Sequence, residues 1–366
     1  MDKILVFIEN PLLENRDIER FGFNFFEQNK YEVVIVDCKA LFNKTHNWKF
    51  SNNKYEVKNI KDISEIVTLL QEESYSFAID YLAYDKEAFK VRNLLEINKI
   101  LTIKKQNVLP IYQKKYLSLK KEFLTNYFFA SGFRHSIGIS TGLSSDKNFF
   151  ISRSLKKIYS NSYDYDIMLN YKKPYYQQRK KYILFIDDML PNHPDYKNYV
   201  PRKPNPTNER TYFSELDVFF NKIEDLTGFE VIIALHPKSS IEKWNQFFSN
   251  RKIFIYSTLK LIKNCECVLV HESTAISFPV IFKKPVIFLT SDEIENSWIY
   301  INILGKAKLL DAEVLNITKF NSSNEKIDVK NFNDLAFNNY FNHFIKHPLS
   351  TNKSSWQSLL ETINNN

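Results

Sequence analysis

Glycine is scarce in this chain. Only six glycines occur among its 366 residues, whereas the usual share of about 7% would give about 25. The phosphate-binding loops G-x-x-x-x-G-K-[ST] and G-x-G-x-x-G need two or three glycines close together, and the sequence contains neither. P-loop nucleoside triphosphatases and the usual Rossmann dinucleotide-binding enzymes are therefore excluded, and any bound phosphate must be held by other groups.

Cysteines and long hydrophobic runs are also few. The three cysteines, Cys38, Cys265 and Cys267, form no disulfide framework and lack the C-x-x-C spacing of zinc sites. No apolar run approaches the ~18 residues of a membrane-spanning helix, and the first run is too short for the core of a signal peptide. We therefore expect a cytoplasmic protein that is neither exported nor membrane-spanning.

Cationic residues exceed anionic ones, with 50 Lys and Arg against 42 Asp and Glu and a formal net charge of +8. The chain also has 21 tyrosines and 31 phenylalanines. This composition suits an anionic partner but leaves its class open: a phosphorylated substrate, an anionic membrane surface or a nucleic acid. The length and the ordinary balance of 44% hydrophobic and 25% charged residues favour two folded domains.

Strand and helix patterns alternate along both halves of the chain. The first half has predicted strands at 4–8, 31–36, 76–81 and 167–170 and predicted helices at 18–26, 86–97 and 115–130. The second half has predicted strands at 182–186, 229–235, 252–256, 267–270 and 285–289 and predicted helices at 208–226, 258–264, 273–282, 331–345 and 355–363, with a loop at 318–329. This order indicates two α/β domains with mainly parallel sheets. A basic segment at 171–181 separates them, so we predict domains at 1–175 and 176–366.

Ligands of parallel α/β sheets bind beyond the carboxyl ends of the strands. The predicted strand 182–186 is followed there by Asp187-Asp188. Repulsion between adjacent carboxylates raises the pKa of one of them toward the range of a general base. Turn formation is the alternative explanation, because aspartate is common in turns.

Two further strand ends carry groups that bind anions. One is followed by His236-Pro237-Lys238-Ser239-Ser240, which offers several hydrogen-bond donors. The other is followed by His271-Glu272-Ser273-Thr274 and a helix, whose first N–H groups bind anions without glycine. Each motif is also typical of an ordinary capped loop. Because the strands are parallel, we expect both loops at one edge of the sheet, where they would bind phosphate.

In their order along the chain, these motifs resemble those of the bacterial sialyltransferases and related GT-B transferases that use CMP-activated nonulosonic acids or Kdo. The matching motifs are Asp187-Asp188, His236-Pro237 and Ser273-Thr274, within residues 182–290. Met189 stands where the family pattern has glycine. The resemblance implies a GT-B fold, in which two Rossmann-like domains face a central cleft, the first on the acceptor side and the second on the side of the CMP-sugar donor.

The resemblance also implies roles for these residues. Asp187, with Asp188 beside it, would take the proton from the acceptor hydroxyl. His236 would stabilise the leaving phosphate, which Ser273 and Thr274 would bind. The whole predicted donor site consists of His236, Pro237, Lys238, Ser239, His271, Glu272, Ser273 and Thr274, and it requires no metal or cofactor. Some relatives carry the carboxylate in the first domain, which leaves Glu9 and Asn10 as further candidates.

Two other motifs have ordinary structural explanations. The triplet Asp164-Tyr165-Asp166 has the D-x-D pattern that holds a divalent ion against a nucleotide diphosphate. It precedes a predicted strand, at the edge opposite to ligand sites, so we interpret it as a solvated turn. The segment Tyr256-Ser257-Thr258 follows another predicted strand and is interpreted as a helix cap.

The sequence thus predicts a transferase that moves a nonulosonic acid (sialic, pseudaminic or legionaminic type) from a CMP-activated donor to a surface-glycan acceptor. Two alternatives stay open. One is a polyol-phosphate transferase of the CDP-glycerol type, and the other is a non-catalytic protein that binds glycan or nucleic acid through basic, aromatic segments at 104–116 and 171–182. We expect no nucleic-acid partner for the transferase.

Basic clusters predict a second kind of contact. Interleaved with aromatic residues, they would hold the protein on the anionic inner face of the membrane, where lipid-linked glycan acceptors reside. A solvated surface is the alternative explanation. The clusters are Lys104-Lys105, Lys114-Lys115, Lys120-Lys121 and Arg179-Lys180-Lys181.

Overall fold

The computed structural model describes residues 1–9, 15–42, 54–83, 86–106, 132–194, 196, 203–248 and 250–365. Within this part, the chain divides into two compact units. The first contains residues 1–106, 132–170 and 342–365, and the second contains residues 171–341. No helix of the described residues is long and apolar enough to cross a membrane.

The first unit is built on a parallel sheet of seven described strands in the order β3-β2-β1-β4-β5-β6-β7. Their bounds are β1 (Asp2–Ile8), β2 (Tyr31–Asp37), β3 (Glu56–Asn59), β4 (Phe77–Asp80), β5 (Leu101–Gln106), β6 (Ile137–Ser140) and β7 (Lys156–Tyr159). Along β1, Ile4 and Val6 pack into one hydrophobic cluster and Leu5 packs into another. Successive side chains of a strand point to opposite faces, so the sheet is covered on both sides.

The helices of the first unit differ from the sequence prediction in two places. Their bounds are Asn15–Arg20, Phe23–Gln28, Ile63–Glu72, Lys86–Ile97, Phe149–Arg153, Tyr163–Asn170 and Ser355–Asn364. The predicted helix 18–26 is interrupted at Gly22, which has a φ of 74° and leaves no room for a Cβ beside the Trp356 ring. The predicted strand 167–170 is wrong, because these residues end a helix that begins at Tyr163. The predicted helix 115–130 lies outside the described residues.

The second unit has a parallel sheet of six described strands in the order β10-β9-β8-β11-β12-β13. Their bounds are β8 (Tyr182–Ile186), β9 (Glu230–Leu235), β10 (Ile253–Ile255), β11 (Cys267–Val270), β12 (Val286–Thr290) and β13 (Glu313–Asn316). All residues of β8, β11 and β12 are buried. The five predicted strands of this half are confirmed, since continuous apolar runs are typical of a parallel sheet that is covered on both faces.

The helices of the second unit connect these strands. Their bounds are Glu209–Thr227, Ile241–Phe248, Thr258–Ile262, Ser277–Ile281, Asp292–Glu295, Tyr300–Leu310, Ile317–Ser322 and Asp334–Tyr340, with a 3-10 turn at Thr274–Ile276 and a π-helical turn at Phe341–Ile345. The predicted loop 318–329 therefore begins with a helix. Asn316 caps that helix by accepting from the Lys319 N–H.

The C-terminal helix belongs to the first unit, whereas the sequence prediction placed it in the second domain. Buried polar contacts explain this arrangement. The Lys105 ammonium binds Asp166 Oδ2 at 2.6 Å and Ser355 Oγ at 2.9 Å. The Ser355 N–H donates to Asp166 Oδ1 at 3.0 Å, and the Trp356 ring is buried in the cluster that covers β1. The two contacts of Ser355 join residues 189 and 250 positions apart, which no local pattern can indicate.

Candidate functional site

Three polar loops meet at one edge of the second sheet. β9, β8 and β11 are neighbouring parallel strands, and their carboxyl ends lead to His236, Asp187 and His271 respectively. Adjacent strands lie about 4.8 Å apart, so the loops after β9 and β11 start about 10 Å from each other, with the aspartate pair between them. The predicted convergence of the loops at one edge is therefore present.

The Asp187 carboxylate holds the loop that follows β9. Its Oδ2 accepts from the His236 N–H at 3.1 Å and from Ser239 Oγ at 2.6 Å, and its Oδ1 accepts from the Met189 N–H at 2.7 Å. Only 1% of Asp187 is exposed, and burial raises its pKa although the three hydrogen bonds oppose the shift. Asp187 is therefore buried and accepts three hydrogen bonds from within the protein, which leaves little of its acceptor capacity for an acceptor hydroxyl.

Asp188 points to the other neighbouring loop and is partly exposed. Its Oδ2 accepts from the Glu272 N–H at 2.6 Å. Loss of hydration at the carboxyl, together with the nearby Glu272 and Asp187 carboxylates, raises the pKa of Asp188 to about 7, against the opposing effects of the hydrogen bond and of Lys306. A carboxyl with a pKa near neutrality can both accept and release a proton under physiological conditions.

The loop after β9 is a tight turn. The Ser239 N–H donates to the His236 carbonyl at 2.8 Å, with Pro237 in the first central position, where its fixed φ is favourable. The Lys238 N–H donates to Nδ1 of His236 at 3.1 Å, so the neutral ring carries its proton on Nε2. His236 and Lys238 are both partly exposed, while the hydroxyl of Ser239 is used by Asp187. His236 and Lys238 are therefore the candidates of this turn for contact with a ligand.

His271 is not part of the exposed site. Its ring is fully buried and contacts Phe185. Its Nδ1–H donates to the Leu289 carbonyl at 2.8 Å, and Nε2 accepts from the Tyr212 hydroxyl at 3.3 Å. Burial lowers the pKa of His271 to about 4, so the ring is neutral at pH 7. Its predicted place in the donor site is therefore wrong, because an apolar sheet face encloses the ring.

Glu272, Ser273 and Thr274 remain at the surface beside Asp188. Ser273 is the N-cap of the helical turn that starts at Thr274, and its Oγ accepts from the Ala275 N–H at 3.2 Å. Thr274 is exposed. The Glu272 carboxylate binds the buried Lys306 ammonium at 2.7 Å. Sequence reasoning missed Lys306, which lies in an ordinary helix pattern 34 residues downstream.

Met189 keeps the turn that the family pattern assigns to glycine. Its φ is 55°, in the left-handed region, which costs an ordinary L-residue about 1 kcal/mol or more. Together with Asp187, Ser239, Lys243 and other residues, Met189 lines a small pocket beside the β9 loop. The departure from glycine therefore changes the residue without removing the turn.

A second histidine lies next to His236. The His193 ring contacts the His236 ring edge-on, with 5.0 Å between centroids. Tyr196 packs on His193 and also on Trp298. These rings belong to the loop after β8 and to the segment after β12. The sequence shows His193 close to the aspartate pair but gives no sign that it reaches His236.

Other predicted residues lie in the first unit or outside the described residues. Asp164 and Asp166 are buried in the first turn of a helix, where they bind Arg20 and Lys105, so the expected solvated turn is wrong. Glu9 follows β1 in the first unit and is buried, and Asn10 lies outside the described residues. Within the described residues, no group of three His, Cys, Asp or Glu is placed to hold a metal ion.

Tyr256 follows β10 in the left-handed conformation, with a φ of 55°, and its hydroxyl donates to the Pro237 carbonyl at 3.3 Å. Tyr256 is 62% exposed. Ser257 precedes the helix that starts at Thr258, but its side chain makes no capping hydrogen bond and donates instead to the Ile255 carbonyl. The predicted side-chain cap is therefore absent at Ser257.

No protein-family model and no curated protein matches the sequence. Solved structures do match. The S. aureus protein MnaA, in a co-structure with UDP, is 12% identical, covers 100% of this chain and 95% of its own, and has a TM-score of 0.50. The wall teichoic acid polymerase TagF is 12% identical, with 100% and 89% coverage and a TM-score of 0.53. A TagF variant soaked with CDPG is 11% identical, with 100% and 88% coverage and a TM-score of 0.53.

This likeness concerns the fold. The chain has a GT-B fold with two Rossmann-like α/β domains, as predicted.

Proposed function

We propose that this protein is a glycosyltransferase that moves a nonulosonic acid from a CMP-activated donor to a surface-glycan acceptor, without a metal or cofactor. The observation that carries the proposal is the position of Asp188, a carboxyl with a pKa of about 7 between two loops that offer donors to a phosphate. A GT-B fold accommodates this chemistry but does not select it.

Each residue of the site has one role in the proposed reaction. The acceptor hydroxyl attacks the anomeric carbon of the donor, and the bond from that carbon to the CMP phosphate oxygen breaks. We assign the hydroxyl proton to Asp188, because Asp187 is buried and already accepts three hydrogen bonds. Lys238 and the Nε2–H of His236 stabilise the negative charge that develops on the CMP phosphate. Ser273 and Thr274 bind the same phosphate from the other loop.

A second candidate reaction has a specific observation in its favour. One of the two similar TagF structures is of a variant soaked with CDPG. A CDP-activated polyol also releases CMP when its outer phosphate is transferred. One site that holds the CMP phosphate would therefore serve either donor. The two reactions differ in the bond that breaks, since the polyol transfer cleaves an oxygen bond to phosphorus and the sugar transfer cleaves one to carbon.

Donor assays test the proposal. We expect CMP to raise the melting temperature more than UDP or GDP, with and without EDTA, since a ligand of the folded state stabilises by RT ln(1 + [L]/Kd). CMP-activated nonulosonic acids should then release CMP in the presence of glycan acceptors, and CDP-glycerol should not. Release from CDP-glycerol alone would favour the second candidate, and a metal-dependent preference for UDP would contradict both.

Two variants separate an enzyme from a binding protein. Asp188→Asn should lower turnover by about 10² to 10⁴ while nucleotide affinity changes little, because only the proton acceptor is lost. His236→Ala should weaken both CMP binding and turnover. A non-catalytic binder of glycan or nucleic acid would show no turnover in the wild type and would tolerate both changes.

A further inference from the structure

Lys306 is a buried cation beneath the loop that follows β11. It lies in the helix Tyr300–Leu310 and is 5% exposed. Its ammonium contacts the Glu272 carbonyl at 2.5 Å, the Ser273 carbonyl at 3.2 Å and Glu272 Oε1 at 2.7 Å. An ammonium has three N–H donors and no acceptor, so these three oxygens account for all of its hydrogen bonds.

The two carbonyl contacts determine where the following amides point. In a trans peptide the C=O of one residue and the N–H of the next lie in one plane and point in opposite directions. Because the carbonyls of Glu272 and Ser273 both face Lys306, the N–H groups of Ser273 and Thr274 both face away from it. Successive N–H groups that point the same way form a concave site for an anion.

Neither of these N–H groups donates to a protein acceptor within the described part of the chain, whereas the N–H groups on both sides of them do. The Glu272 N–H donates to Asp188 and the Ala275 N–H donates to Ser273 Oγ. Ser273 is partly exposed, and Thr274 is exposed. The loop therefore presents two adjacent donors at the surface, beside the carboxyl that we propose as the base.

We propose that Lys306 is a positioning residue for the donor phosphate: by binding two successive carbonyls, it holds the amides of Ser273 and Thr274 toward that phosphate. The inference rests on the proposed function for the location of the phosphate. Lys306 itself does not touch the ligand, because its three donors are used inside the protein. A neutral side chain could not bind two carbonyls and the Glu272 carboxylate together.

The first test compares CMP with cytidine in the wild type and in Lys306→Met. If Lys306 positions the phosphate-binding amides, the variant should bind CMP about 10-fold or more weakly and bind cytidine as the wild type does, since cytidine lacks the phosphate. Isothermal titration at pH 7 measures both. Equal losses for CMP and cytidine would indicate a general structural role and would overturn the proposal, as would unchanged CMP binding.

A second pair of variants tests the amide itself without removing a buried charge. Thr274 begins the helical turn, and Ser273 before it has a φ of −58° and a ψ of 143°, so proline fits at position 274. Thr274→Pro removes the N–H and the hydroxyl, whereas the control Thr274→Ala removes the hydroxyl and the γ-methyl group but keeps the N–H. We expect Thr274→Pro to bind CMP several-fold more weakly than Thr274→Ala, with equal cytidine affinity. Equal CMP affinities of the two variants would overturn the proposal.

The choice of ligands separates this inference from the proposed function. If the wild type prefers UDP to CMP, the proposed donor is wrong, and the same comparison with UDP and uridine tests Lys306. Inorganic phosphate, titrated against wild type and Lys306→Met, provides a test that is independent of any nucleoside. A wild type that binds no phosphorylated ligand would overturn both proposals.

Discussion

At the scale of single residues, the two adjacent aspartates differ in their hydrogen bonds and in their exposure to solvent. Asp187 accepts from the His236 N–H of the loop after β9, and Asp188 accepts from the Glu272 N–H of the loop after β11. Asp187 receives three donors, and Asp188 receives one described donor and keeps contact with solvent. Their environments therefore separate a structural carboxylate from one suited to proton transfer.

Protonation of Asp188 should be visible in the stability of the protein. Its pKa is about 7 in the folded state, above the value of 3.8 expected for the unfolded chain. The stabilisation from this proton is complete below pH 3.8 and is lost as the pH rises through 7. We therefore expect the melting temperature of the wild type to fall between pH 5 and 8 relative to that of Asp188→Asn, measured by calorimetry. Parallel pH profiles of the two proteins would contradict the assignment.

The strained turn at Met189 gives a second prediction. Met189→Gly and Met189→Ala both remove the side chain, but only glycine relieves the left-handed φ of 55°. We expect the glycine variant to be more stable than the alanine variant by about 1 kcal/mol in urea denaturation. An alanine variant of equal or higher stability would show that the turn rearranges in the absence of the methionine side chain.

The sequence could predict the edge at which the site lies, but not the role of each residue there. His236 and His271 both follow apolar strands, and local sequence treats them alike. The structure exposes part of His236 and buries His271 against Tyr212 of the helix Glu209–Thr227. Lys306 could not be predicted either, because its three contacts depend on how its helix packs under a loop more than 30 residues away.

At the scale of helices and strands, apolar runs predicted the second sheet well and the first sheet poorly. β8 and β11 are continuous apolar runs, whereas β5 contains Lys104 and Lys105 and β7 contains Lys156 and Lys157. The two lysines of β5 are buried because tertiary partners neutralise them: Lys104 lies 3.7 Å from Asp80, and Lys105 binds Asp166. Polar strands of this kind have no periodic hydrophobic signal.

The contacts of Asp166 give a prediction for the C-terminal helix. Asp166→Asn leaves the buried Lys105 ammonium without its carboxylate, and removing one partner of a buried ion pair costs about 3 to 5 kcal/mol. We expect a loss of that size in urea denaturation. Glu87→Gln is the matched control, because its ion pair with Lys90 is exposed and contributes less than about 1 kcal/mol. Equal stability of both variants would show that Ser355–Asn364 is held by its apolar face alone.

At the scale of the whole molecule, the structure changes the interpretation of the positive charge. Lys104 and Lys105 are buried in ion pairs and cannot contact a membrane or a nucleic acid, so that part of both predictions is wrong. The clusters at 114–115 and 120–121 lie outside the described residues. Arg179, Lys180 and Lys181 are exposed just before β8, at the end of the second sheet opposite to the candidate site.

Among the described residues, these three cations are the exposed part of the clusters predicted to contact a membrane. Lys172 and Lys173, nearby in the sequence, are exposed as well. Lys180 and Lys181 have ion pairs with Glu230 and Glu266 at 3.5 and 3.3 Å, which reduce their net charge at a surface. Since β8 spans about 17 Å, a membrane bound at this end would lie at the end of the sheet opposite to Asp188 and His236.

Flotation with vesicles tests this contact. We expect binding to vesicles that contain phosphatidylserine at low salt, release at high salt, and no binding to neutral vesicles, because screening weakens surface charge. Changing Arg179, Lys180 and Lys181 to glutamine should lower the affinity by up to about 100-fold, since each cation contributes at most about 1 kcal/mol and two of them are in ion pairs. The control changes Lys86, Lys90 and Lys99, which are exposed in the first unit, and alters the net charge equally. Equal losses in the two triple variants would indicate that net charge alone drives binding, and no binding of the wild type at low salt would leave these cations as a solvated surface.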